Sequence, residues 1–223
     1  MRIWSQAAGV VIGTFVVAPA MLAGPPQQTG EAATHFGHVA TGFGGAPAGR
    51  GLVVTAAMEV NTAMMYANFA AGSPASLEAM QGHVRNVLHA LAPEAGGKGA
   101  GLGFGVRRAG EAVAAHIELA VKAQGSSETL RKLGPTVAQA ARALAARAQA
   151  MAGLANRVLA AKTAAEAAPL VVELREHALQ LDLGRDADGS GRIELNAVEP
   201  GMNQLEAQVY SILEGDKLPR VLR

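Results

Sequence analysis

The chain has 223 residues with 19 Lys and Arg against 18 Asp and Glu, a formal charge of +1. That balance excludes the net basic field with which a protein attracts nucleic acid or an anionic membrane surface, and zero cysteines exclude disulfides, thiolate metal sites and a Cys nucleophile. Half the residues are apolar but only 4% are aromatic, so the core must be built from small side chains that let helices approach closely.

Residues 1–23 have the layout of an export signal: a short start with Arg2, an apolar stretch from Ala7 to Ala18, and small residues before a cut near Ala20 or Ala23. Removal of Arg2 leaves 18 basic against 18 acidic side chains. No later segment reaches the roughly 18 uninterrupted apolar residues of a membrane span. A secreted or periplasmic protein with no membrane span in the mature chain is expected, an uncleaved anchor being the alternative. Residues 24–51 are rich in Gly, Pro and Thr without a sustained period, which predicts an irregular lead-in with a turn or two of helix near Thr34 to Ala40.

Helical periodicity then predicts segments over Leu52 to Ala71, Pro74 to Leu91, Val106 to Gln124, Ser127 to Ala161 and Ala164 to Leu183. Gly134-Pro135 should break or kink the fourth, because proline lacks the N–H that the helix needs. Ser73-Pro74 reads as a cap with a favoured first residue, and Thr163 with Glu166 as a capping box. Strand signals are absent. The expected fold is all-α: an up-and-down bundle of four to five helices over 52–183, followed over 184–223 by a loop and a C-terminal helix that complete a helix-loop-helix with the last bundle helix. The Gly-rich connection from Pro93 to Gly105 follows no strand, and Lys98 precedes Gly99 rather than Ser or Thr. It therefore meets no phosphate-binding fingerprint and reads as a flexible interhelical loop.

The run Asp186-Ala187-Asp188-Gly189-Ser190-Gly191-Arg192-Ile193-Glu194 places oxygen donors at alternate positions around a glycine turn, and apolar-periodic segments flank it. It resembles the EF-hand calcium loop. The resemblance implies side-chain oxygens from Asp186, Asp188 and Ser190, a backbone carbonyl from Arg192, and Glu194 at the ninth position, directly or through water. The twelfth position, where the family supplies a bidentate Glu, holds Ala197. The next carboxylate, Glu199, lies two residues late unless the chain bulges before Pro200. Weak calcium binding is therefore expected, at roughly 10⁻⁴ to 10⁻³ M. A polar turn is the alternative reading, since Asp, Ser and Gly are also the residues that turns select.

Without thiols, a copper, zinc or haem site would need histidine or methionine. Stepping about 100° per residue puts His83 and His116 at the edges of their apolar helix faces, His89 on the far side of its helix, and His177 within the face of Leu170, Leu174 and Leu181. His83, His116 and His177 could then converge in the bundle, with Glu59, Met58 or Met65 as further donors; boundary hydrogen bonding is the alternative. His35 and His38 would stand one turn apart if helical, but read as solvated in a Gly-rich lead-in. No motif names a reaction, so the expectation is a non-enzymatic, exported, calcium-binding helical protein. A periplasmic copper, zinc or haem carrier, or a bundle that docks another periplasmic protein, are its rivals.

Overall fold

A computed structural model of the chain describes residues 28–218, and the segment read as an export signal lies outside them. The described residues form eight α-helices and no strand, so the fold is an all-α bundle. In chain order they are α1 (Gly30–Ala40), α2 (Leu52–Ala71), α3 (Leu77–Leu91), the single turn α4 (Pro93–Gly96), α5 (Val106–Lys122), α6 (Glu128–Ala160), α7 (Ala164–Leu183) and α8 (Met202–Gly215), with a 3-10 turn at Pro47–Gly49.

The start of α2 is apolar all round: Leu52, Val53, Val54, Ala56, Ala57 and Val60 are all buried. A helix of that kind must be covered on every side. It packs against α3, α5 and α7, and the long α6 packs against the same three. α3 and α5, joined through the α4 turn, barely touch each other, and each packs on both α2 and α6. The 33-residue α6 contributes mostly alanines to the core, with Leu130, Leu144, Met151 and Val158 among them. Small residues allow close contact there: a Cβ on Gly110 of α5 would lie 2.7 Å from the carbonyl oxygen of Ala141.

Three local expectations are corrected. The lead-in contains α1, an 11-residue helix, because Ala32, Phe36, Val39 and Ala40 form an apolar stripe that packs on α5 and α2. Ser76 rather than Ser73 caps α3, its hydroxyl accepting from the Ala79 N–H at 3.2 Å. α6 does not break at Gly134-Pro135 but continues as a helix, with the buried Leu130, Val137 and Ala138 on both sides of the proline. At the other end of the molecule the buried Asp216 accepts from Gln28 Nε2 and Ser127 Oγ, both at 2.7 Å, tying the end of α8 to the start of α6.

Candidate metal centre

The chain leaves α7 at Gly184 and enters α8 at Gly201, and these two points of backbone touch. A Cβ on Gly201 would lie 2.3 Å from the Gly184 nitrogen, so only glycine fits. Around this neck the Arg185 N–H donates to the Glu199 carbonyl at 2.8 Å and Gln204 Nε2 to the Leu183 carbonyl at 3.0 Å. From α6, the Arg147 guanidinium donates to the carbonyls of Gln180 (2.7 Å), Pro200 (3.1 Å) and Val198. One cation thus fastens both ends of the loop to the bundle.

Within the loop, Asp186 Oδ1 accepts from the N–H groups of Gly189 (2.7 Å) and Ser190 (3.1 Å), and Oδ2 from that of Gly191 (2.7 Å). Gly191, at the sixth position, has φ +81°, a left-handed conformation that suits glycine. Asp188 Oδ1 accepts from the Ser190 N–H at 2.9 Å. Asn196 Oδ1 accepts from the N–H groups of Val198 and Glu199, which folds the chain back just before Pro200. That bend turns Glu199 back toward the start of the loop. The carboxylate of Glu199, 1% exposed, turns inward and accepts from Ala187 N–H at 3.2 Å and Glu194 N–H at 2.7 Å. One carboxylate oxygen from each of Asp186, Asp188 and Glu199 lies within 4.8 Å of the others.

Electrostatically, backbone donors dominate the cluster. The Gly191 N–H holds the Asp186 carboxyl below its ordinary range against some desolvation, with help from the N–H groups of Gly189 and Ser190 and from Asp188. Glu199 is held low first by the Glu194 N–H, then opposed by burial and, in the other direction, aided by Ala187 and Asn196. The negative charge of Asp186 works against it. Of the remaining loop residues, Ser190 Oγ lies 3.4 Å from the Arg192 carbonyl oxygen, so those two oxygens are neighbours. Glu194 contributes its backbone N–H to Glu199, while its own carboxylate is outside the three-carboxylate group.

The second expected site is not assembled. Glu59 is fully buried, and its carboxylate accepts from the N–H groups of Leu102 (3.1 Å), Phe104 (2.9 Å) and Gly105 (3.0 Å). It anchors the Gly-rich connection at the start of α5, a role as loop acceptor in place of metal donor. Asn86 Oδ1 adds a bond from the Ala100 N–H at 2.8 Å, so that connection is held rather than loose. His83 lies against the rings of Tyr66 and Phe69, and His177 lies 3.8 Å from Glu173 on its own helix. His116 meets neither; its ring stands beside those of His35 and His38. The reason is that helical phase fixes which way a residue faces, not which helix it faces.

Two features escaped the reading of the sequence. Arg147 had no signal beyond being a long cation among alanines. The pairing of His35 and His38 with His116 was foreshadowed only by their three-residue spacing, which puts both on one face once α1 is helical. Among the described residues, no helix is long and apolar enough to cross a membrane. Comparison of the chain with protein-family models, with curated proteins and with solved structures finds no match.

Proposed function

We propose that this is an exported, non-enzymatic helical protein whose 185–199 loop binds calcium weakly and thereby fastens α8 to α7. The reading rests on one observation: Asp186, Asp188 and Glu199 bring carboxylate oxygens within 4.8 Å of one another, although the charge of Asp186 works against that of Glu199. Hard oxygen donors of net negative charge select a hard cation, and calcium tolerates the irregular geometry of a loop better than magnesium does. The three carboxylates would be joined by the Ser190 hydroxyl, the Arg192 carbonyl and water. Glu199 takes the place that Ala197 leaves empty in the EF-hand pattern. Few ligands and an exposed rim keep the affinity in the roughly 10⁻⁴ to 10⁻³ M range, a level suited to extracellular calcium.

Thermal melting tests the reading. At about 10 mM calcium such affinities stabilise the fold by about 1.4 to 2.7 kcal/mol, which for a chain of this size raises Tm by roughly 3 to 10 °C over the chelator-treated protein. Asp186→Asn with Asp188→Asn should abolish the rise. Identical melting curves with calcium and with chelator would refute the proposal.

A further inference from the structure

On α1, His35 and His38 stand one turn apart on the same face, and α5 brings His116 against them. The Nδ1 atoms of His35 and His116 are 3.1 Å apart. Ring centroids are separated by 4.8 Å (His38 and His116), 5.3 Å (His35 and His116) and 6.1 Å (His35 and His38). One ring nitrogen from each lies within 4.8 Å of the other two. Phe43, just beyond α1, packs edge-on to His38 and His116 at 5.3 Å each and walls one side of the group.

Hydrogen bonding among the rings does not account for this arrangement. The 3.1 Å contact satisfies one pair if a single proton is shared, yet His38 Nδ1 is buried and has no hydrogen-bond partner. Such an orphan is costly unless something engages it.

We infer that His35, His38 and His116 form a three-histidine site for one divalent transition-metal ion, zinc or copper(II), separate from the calcium loop. A tetrahedral ion with metal–nitrogen bonds of about 2.0–2.1 Å sets its ligand nitrogens about 3.3 Å apart. The observed 3.1 Å contact is close to that spacing, and the three rings offer nitrogens within 4.8 Å of one another. Imidazole is a borderline donor that suits zinc and copper and is a poor ligand for calcium. The two sites are therefore chemically orthogonal.

The test uses the full chain, stripped with chelator and then kept in excess calcium so that the acidic loop is masked. Titration calorimetry with zinc chloride, and separately with copper(II) chloride, should give one bound equivalent. His116→Ala should weaken binding by at least about tenfold, whereas Asp186→Asn with Asp188→Asn should leave it unchanged. Copper loading supplies a second readout: electron paramagnetic resonance should show nitrogen splitting, reduced in His35→Gln, which carries the test if His116→Ala does not fold. Competition between the two metals identifies the tighter ion, copper by the usual ordering. Absence of stoichiometric binding of either metal, or wild-type affinity in both histidine variants, overturns the inference.

Discussion

The two glycine-rich loops solve opposite electrostatic problems. In the 97–105 connection one buried carboxylate, Glu59, faces three backbone N–H groups, so donors outnumber charges and the loop is complete as it stands. In the 185–199 loop three carboxylates crowd together and accept six bonds from the N–H groups of five residues, while the charge of Asp186 works against that of Glu199. The first loop is closed by the protein's own dipoles; the second gathers three carboxylates around one point, which is where we propose that a cation binds. Glycine content is common to both and diagnostic of neither, and the ratio of charges to donors separates them.

The largest effect should come from breaking the self-sufficient loop. Glu59→Ala orphans three N–H groups beneath the α5 terminus and should destabilise the protein by about 3–5 kcal/mol in urea unfolding, whether or not calcium is present. Arg147→Ala attacks the neck of the other loop. Losing its bonds to three carbonyls should cost about 1–3 kcal/mol, and hydrogen exchange should quicken across 185–199 while the 97–105 amides keep their protection. Glu199→Gln sharpens the contrast further. It removes the one buried carboxylate of the cluster and should weaken calcium binding about tenfold in calorimetry, within the range by which ligand charge tunes such loops. Glu194→Gln should change melting by less than about 0.5 kcal/mol, because its side chain stands outside the cluster.

Much of the fold was legible from period and punctuation. The bounds of α2 and α7, Leu52–Ala71 and Ala164–Leu183, coincide with those expected, since Gly51 and Gly72 bracket the first and Thr163 caps the second through the Glu166 N–H. α1 was legible only in part, because its stripe is short and its strength comes from packing on α5. The acidic loop announced its residues, but the return of Glu199 depends on Asn196 accepting two N–H groups, a tertiary detail that spacing alone does not carry. Glu59 stood out as a lone acid in an apolar helix. Its partners come from a segment more than forty residues away, so the residue was visible and its role was not.

The central claim is that the crowded carboxylates of 185–199 await a divalent cation and the Glu59 loop does not. Amide NMR spectra recorded during a calcium titration test this directly, because each loop reports through its own N–H groups. Saturable shifts confined to 185–199 and its flanking helix ends, with a midpoint of roughly 10⁻⁴ to 10⁻³ M and unmoved 97–105 resonances, are the predicted result. Spectra in which the 185–199 amides stay put up to about 10 mM calcium, or drift without saturating, would contradict it.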